Sequence, residues 1–300
     1  MNIRGVFIED TFAEAFGMAA ARIVITAVNQ RWAHAAAVAL TGFATSVIAC
    51  KCEAAIEREL GPDETPDARP GVAVLVFAMD AAGLGKRLVE RIGQAVLTCP
   101  TTSCFDGLPD LPDRVSAGRT LRVFGDKFQS SKVVGGHRFW RVPVMDGEFL
   151  LQESFGVQTK GVGGGNFLIL ADDQAGALGA AEAAVAAIGG IPGVILPFPG
   201  GVARSGSKVG ARAYTSLVAS TNDAYCPTLR LSTDSALAEG VNAVLEIVID
   251  GLDAEAIRKA MRAGIEAACR PGVRAITAGN YGGNLGTFHF HLRQIMEDVS

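Results

Sequence analysis

Short β-branched runs alternate with Ala- and Leu-rich stretches of helical period along the whole chain, and this alternation predicts an ordered series of strands and helices. In the first half, Arg22 to Ala27 reads as a strand and Gln30 to Leu40 as a helix. Gly42 closes that helix, as a residue able to take the left-handed conformation at a helix end. Thr45 to Cys50 reads as a second strand, the Pro- and acid-rich stretch Gly61 to Gly71 as a loop, and Val72 to Met79 as a third strand. Leu84, Leu88 and Ile92 recur every four residues and mark a helix, and strands at Leu121 to Phe124 and Phe139 to Val144 complete the half.

The second half follows the same order. Asn166 to Ala171 is a strand, and Asp173 stands where it can cap an Ala-rich helix running to Ile188. Val194 to Phe198 is a strand, then a long loop intervenes before the strand Val241 to Asp250. A helix with Ala256, Ile257, Ala260, Met261, Ile265 and Ala268 on one face follows, and then a last strand, Val273 to Ala278. The halves also share wording: Asp10-Thr11-Phe12-Ala13 is similar to Glu153-Ser154-Phe155-Gly156, and Val74-Leu75 through Asp80 to Val244-Leu245 through Asp250. The expectation is an α+β protein of two ferredoxin-like (βαββαβ) lobes arising from an internal duplication. The N-terminal, distal lobe spans 1–145 and the C-terminal, proximal lobe 146–300, parting near Met145-Asp146-Gly147.

The loop from Phe198 to Thr228 is the stretch the rest is organised around. It carries Gly200, Gly201, Gly206 and Gly210 beside Ser205, Ser207, Lys208, Ser220, Thr221, Asn222 and Asp223, while Phe198, Tyr214, Leu217 and Tyr225 anchor it. Loops of this length inside a compact domain are uncommon and are usually functional or disordered. Glycines let backbone N–H groups approach a ligand, and Lys208 adds positive charge, so the loop reads as the rim of a site.

Composition narrows the classes of function. The chain has 300 residues, 49% apolar and 19% charged, with a net charge of −4 and no cluster of Lys and Arg. Nucleic acid is therefore not an expected partner. The first residues meet an Asp-Glu pair too early for a signal peptide and no apolar run is long enough to span a bilayer, which points to the cytoplasm and away from membranes. The six cysteines lack zinc-site spacing and read as reduced, packed thiols.

Several motifs fail on inspection. Gly83-Leu84-Gly85-Lys86 resembles the end of a P-loop, yet Asp80 stands where the first glycine belongs and Arg87 follows the lysine. The run Gly161 to Asn166 precedes a strand and so is no dinucleotide fingerprint. That run and Gly279 to Asn284 read as tight turns. His289 and His291 share one face of a probable strand without a third ligand nearby, which fits a surface or interface pair better than a metal site; no metal is expected. Cys226 reads as a packed thiol. Glu246 is more telling, because strand alternation puts it on one face with Val244 and Val248. A covered carboxyl there would hold its proton near neutral pH and serve as a general acid. An exposed one would be an edge-strand charge guarding against aggregation.

Gly5 to Phe16 (GVFIEDTFAEAF), Thr41 to Ser46, Glu64 to Asp67, Arg91 to Gln94, Gly165 to Phe167, Pro197 to Gly201, Ser207 to Gly210, Ala219 to Thr228 (ASTNDAYCPT), Gly264 to Cys269 and Ala278 to Asn280 together resemble the formylmethanofuran:tetrahydromethanopterin formyltransferase family, nearly end to end. The resemblance implies a cytoplasmic one-carbon enzyme that moves a formyl group between the amine of methanofuran and N5 of tetrahydromethanopterin. These two are cosubstrates, with no metal or prosthetic group. It further implies two ferredoxin-like lobes and a homotetramer with clefts at subunit interfaces. The mild acidity departs from strongly acidic methanogen members and fits a bacterial, methylotroph-type member used in formaldehyde oxidation, inside a formyltransferase/hydrolase complex.

Amine attack on an N-formyl carbon puts charge on oxygen and demands fixed donors and a proton for the departing amine. Backbone N–H groups of Pro199-Gly200-Gly201 or the Asn222 amide are the expected donors, and Glu246 is the expected proton source. Lys208 and Arg212 suit the acidic tails of the coenzymes, and Ser207, Ser220, Thr221, Asp223 and Tyr225 line the same loop. A non-catalytic assembly subunit is the competing expectation, and an acyltransferase using a different pterin is a third.

Overall fold

The computed structural model describes residues 1–206 and 208–297, so the Ser207 expectation lies outside the described residues. The chain forms two compact units, one made of Met18–Gly161 and the other of Met1–Gly17 with the chain from Val162 onward.

In the unit 18–161, strand β1 (Phe12–Thr26, its residues from 18 on), helix α1 (Gln30–Thr41), β2 (Glu53–Leu60), β3 (Gly71–Ala78), helix α2 (Ala81–Arg91) and β4 (Ser103–Asp106) follow in sequence. The antiparallel order across the sheet is β2-β3-β1-β4. Every residue of β3 is buried, as its unbroken apolar wording requires for a strand covered on both faces. On one face Ile23, Ile25, Val74 and Val76 meet Ala33, Ala37 and Leu40 of α1 and Leu84 and Leu88 of α2. Each fully buried Leu or Ile contributes about 1.5–3 kcal/mol by leaving water. The sheet is extended by the hairpin β5 (His137–Val144) and β6 (Gly147–Gln152), whose turn is Met145-Asp146 with Gly147 at φ +135°.

Three local expectations are corrected here. Gly42 has φ −57° and ψ 140°, so α1 ends in an extended exit and not in the left-handed conformation. Thr45 to Cys50 is not a strand: Val47–Cys50 is one helical turn, begun by Ser46, whose hydroxyl accepts from Ile48 N at 3.3 Å, and ended by Lys51 at φ 65°. The strand is the next segment, β2, whose charges at Glu57 to Glu59 hid its pattern. Leu121 to Phe124 is helical as well, lying across Ala117–Leu121 and Arg122–Gly125. Val123 and Phe124 are each 63% exposed there, so β-branched and aromatic letters had no buried neighbour to hold them in a sheet.

In the other unit, β7 (Gln158–Ala171, its residues from 162 on), helix α3 (Gln174–Ile188), β8 (Val194–Ile195), β9 (Ala243–Gly251), helix α4 (Ala254–Ala268) and β10 (Val273–Thr277) follow. The order across the sheet is β10-β7-β9-β8, again antiparallel, with Val6–Ile8 added in parallel beside β10. Asp173 and Asp253 begin the two helices by accepting from Gly176 N and Ala256 N at 2.8 Å each. A cap of this kind is worth about 1 kcal/mol. The helices approach closely on small residues: a Cβ on Gly264 would come within 2.7 Å of Ile188 Cδ1. Phe167, Ile169, Ile247 and Ile249 pack under them.

Alternation then sends the intervening residues to the opposite face, where Leu168, Leu170, Val244 and Ala275 meet Tyr225, Leu237 and Val241. The strand β11 (Phe288–His291) pairs with the start of β1, placing His289 opposite Glu14. Among the described residues no helix is long and apolar enough to cross a membrane.

Candidate functional site

Glu246 points to this second face of the β10-β7-β9 sheet. It stands opposite Leu168, which in turn stands opposite Thr277 on β10. Neighbouring strands lie about 4.8 Å apart, so Glu246 and Thr277 are about 10 Å apart across the strand between them. Burial alone pushes the Glu246 carboxyl up to about 7, and a proton is held and released there near neutrality. Glu246 is half-buried, and its strand is paired on both sides at this position, with β7 and with Ala203, so it is not an edge-strand charge.

The turn Pro199–Gly201 is pinned to this acid. Ala203 and Glu246 exchange backbone hydrogen bonds, Ala203 N to Glu246 O at 2.8 Å and Glu246 N to Ala203 O at 2.9 Å. Gly200 and Gly201 take φ of +63° and +78°, a conformation that a Cβ resists. Of the three backbone positions expected as donors, Pro199 has no N–H and Gly201 N donates to Phe198 O at 2.8 Å. Gly200 N–H is the turn's remaining candidate.

The rest of the loop is tied into two clusters. Lys208 and Arg212 both pair with Asp223, Arg212 at 3.5 Å, and the Lys208 ammonium holds the Asp223 carboxyl below its usual value. Lys208–Val209 pairs with Ala219–Ser220, and Ser220 Oγ donates to Gly210 O at 2.6 Å. The expected cations therefore bring one carboxylate with them and leave a net charge of about +1 for an anionic tail. Thr221 Oγ1 lies 3.2 Å from Cys226 Sγ, and Asn222 O accepts from Tyr225 N at 3.0 Å. Tyr225 joins this loop to the sheet face, where its phenol meets Thr277 and its ring packs on Leu168 and Leu170.

A second acid went unread in the sequence. Glu14 lies on β1 between Ala13 and Ala15 and is 1% exposed. Its Oε2 accepts from Tyr281 N (2.7 Å) and Gly283 N (2.9 Å), and its Oε1 from Leu285 N (2.6 Å) and Gly286 N (2.5 Å). Burial works to raise its pKa, but the four N–H donors outweigh burial and set it at about 2. Of the two glycine runs expected as turns, Gly161 to Asn166 lies instead within strand β7, while Gly279 to Asn284 does form turns, with Gly282 and Gly283 at φ +72° and +75°, and these aim N–H groups inward at the carboxylate. Asn166 holds the start of the same loop: its Oδ1 accepts from Gly279 N at 2.6 Å and its Nδ2 donates to Gly279 O at 3.1 Å. Tyr281 is close enough to Glu246 that the phenol, raised first by burial, is raised further by the charges of Glu246 and Glu14. The signal that could have found Glu14 is the one that found Glu246, a lone acid inside an apolar strand.

Because the folded Glu14 pKa is depressed from 4.5 to about 2, its contribution to stability is complete above about 4.5 and is lost as pH falls toward 2. Amide exchange at residues 281–286 should accelerate over that window ahead of the protein's other loops, and uniform acceleration would count against this coupling.

His289 and His291 lie on one face of β11 beside Phe12, with ring centroids 4.9 and 5.3 Å from it, and among the described residues no group of three or more potential ligands gathers. An apolar cleft of about 720 Å³ lined by Leu97, Cys99, Phe124 and Met145 lies within the unit 18–161 and brings Asp146 as its only charge. It has no convergent polar groups, unlike the Glu246 face.

These features define an α+β protein whose candidate chemistry gathers about Glu246, with one glycine turn leading into the chain bridged to its backbone and a second glycine loop held by Glu14 and Asn166. Two family models match it: one described as formylmethanofuran-tetrahydromethanopterin formyltransferase over residues 1–144 and one described as FTR, proximal lobe, over 147–295. The formylmethanofuran–tetrahydromethanopterin formyltransferase of Methylococcus capsulatus is 61% identical over 300 residues, covering 99% of this chain and 100% of that protein. The solved formyltransferase of Methanosarcina barkeri superposes with a TM-score of 0.93 at 49% identity, over 98% of this chain and 100% of the other. The formyltransferase/hydrolase complex of Methylorubrum extorquens, solved with methylofuran, contains a chain matching with a TM-score of 0.96 at 50% identity over 99% of both. The chain belongs to the formylmethanofuran–tetrahydromethanopterin formyltransferase family.

Proposed function

We propose that this protein transfers a formyl group between methanofuran and N5 of tetrahydromethanopterin by direct attack, with Glu246 as the proton carrier. Family membership supports the reaction, and one observation supports the role: a carboxyl raised to about 7 by burial, on a strand whose backbone is bridged by the chain leaving the Pro199–Gly201 turn and beside Asn166, which anchors the second glycine loop. The accepting nitrogen's lone pair attacks the formyl carbon and the carbonyl electrons move onto oxygen. Gly200 N–H and the Asn222 amide are the donors for that oxyanion, an interaction worth about 3–4 kcal/mol when removed elsewhere. Collapse re-forms the carbonyl and breaks the carbon–nitrogen bond. Glu246 gives its proton to the departing amine and regains one from the nitrogen that attacked, so no net proton is consumed at the acid. Lys208, Arg212, Ser207, Ser220, Thr221, Asp223 and Tyr225 hold the two carriers side by side, and orientation of this kind is worth about 7–11 kcal/mol.

Assembly follows the same reading. The protein works as a cytoplasmic homotetramer, in the direction of formaldehyde oxidation, beside hydrolase subunits as its Methylorubrum counterpart does in the solved complex. The two lobes, 1–145 and 146–300, arise from duplication of a ferredoxin-like unit. That origin is supported by the shared strand order, β2-β3-β1-β4 in one unit and β8-β9-β7-β10 in the other, with the first strand of each repeat central. Purified protein mixed with formylmethanofuran and tetrahydromethanopterin should produce formyl-tetrahydromethanopterin, read by its ultraviolet absorbance. No exchange in either direction would defeat the proposal and leave the assembly-subunit reading.

A further inference from the structure

Glu14 has no part in the chemistry above, yet it is among the most heavily hydrogen-bonded side chains of its unit. The loop it holds is rich in glycine, which loses more conformational freedom on ordering than any other residue. Such a loop stays in one shape only if something fixes it, and four donors on one carboxylate do so. The other end of the loop is fixed by Asn166, and Asn166 is the diagonal neighbour of Glu246 across β7 and β9, about 7–8 Å away between backbones. Between these two anchors stands Tyr281, its backbone N on Glu14 and its ring 6.3 Å from that of Phe16.

We propose that Glu14 is a positioning residue for the transfer site: by gathering the N–H groups of residues 281, 283, 285 and 286 it sets Tyr281 as one wall around Glu246. The wall keeps water from the acid and so sustains the neutral form that donates the proton. This rests on the reading of Glu246 as the proton carrier. The titratable and charged groups on the elements around Glu246 are Asp250 further along its own strand, exposed Arg204 after the bridged Ala203, Tyr225 at Thr277, Tyr281 on the loop and Glu14 on β1. Among these the charge of Glu246 helps raise the Tyr281 phenol, while burial is what raises Glu246 itself.

The test follows the proton on Glu246 itself. With glutamates labelled at the side-chain carboxyl carbon, the resonance lost in Glu246→Gln assigns Glu246, whose titration is then compared in wild type, Glu14→Asp, Tyr281→Ala and Tyr281→Phe. Glu14→Asp keeps the charge but is one methylene too short to reach both pairs of donors. Tyr281→Ala keeps Glu14 and removes the wall. Both should lower the Glu246 midpoint by about one unit or more toward the ordinary carboxylate range, while Tyr281→Phe, which keeps the ring, should leave it within about half a unit. The acid-side limb of the rate profile should move with the midpoint, whereas a merely structural role would lower rates without moving it. A folded Glu14→Asp or Tyr281→Ala protein with the wild-type midpoint overturns the proposal, and if Glu14→Asp does not fold, amide exchange at residues 281–286 in Tyr281→Ala and its midpoint decide. Full activity in Glu246→Gln would instead remove Glu246 from the chemistry and leave the titration result standing.

Discussion

Glu246→Gln should bind both coenzymes, lose turnover by about 10²–10⁴-fold, and yet be more stable than wild type at pH 8. The loss follows from removing the proton that the departing amine needs, at the usual scale of general acid–base catalysis. The gain follows from linkage. Burial raises the carboxyl from 4.5 to about 7 in the folded protein. As pH rises through that interval the unfolded chain ionises while the folded one keeps its proton, so stability falls with pH and the deficit is complete above about 7. Its upper bound is about 3 kcal/mol. The neutral amide of glutamine escapes the deficit. Thermal unfolding at pH 5 and pH 8 reads it, since the two proteins should differ little at the lower pH and most at the higher. Wild-type turnover in the variant, or a stability difference that ignores pH, would break the link between burial and function at this acid.

Gly201→Ala should destabilise the protein by about 2–4 kcal/mol and impair transfer, while Gly200→Ala should cost about 1 kcal/mol. Both residues have positive φ, so strain alone does not separate them. Space does: a Cβ on Gly201 would lie 2.8 Å from Val185 Cγ2 and 3.0 Å from Leu196 Cδ1, while one on Gly200 meets nothing within 4 Å. The clash would push the turn off α3 and drag on the Ala203–Glu246 bridge, which is why activity should suffer with stability. Urea midpoints for the two variants, with turnover at saturating coenzymes, are the comparison. Equal costs at the two positions would show that packing under the turn is not what holds it.

Most elements were legible because burial on both faces leaves a plain trace. β3 is apolar throughout, α2 repeats Leu at helical spacing, and Asp173 stands one residue before its helix, each a local match between letters and geometry. The misreadings share a cause in the opposite direction. Thr45 to Cys50 and Leu121 to Phe124 carry strand-forming letters, yet beyond a single bridge from Thr45 to Glu53 their hydrogen bonds close locally into helical turns. At the site, Glu246 was visible as a charge inside an alternating strand. Glu14 has the same local wording, but its meaning depends on a loop that lies more than 260 residues further along the chain.

What the letters by themselves determined was the order of strands and helices, the repetition of that order, the family, and the two glycine loops as chain able to turn sharply. Only the tertiary structure decided which N–H groups those turns present to which carboxylate, and which of two strand acids keeps its proton. The reason is that a carboxyl's charge state answers to donors and water brought to it from distant parts of the chain. Four donors make Glu14 an anion down to about pH 2, while burial holds Glu246 neutral up to about 7.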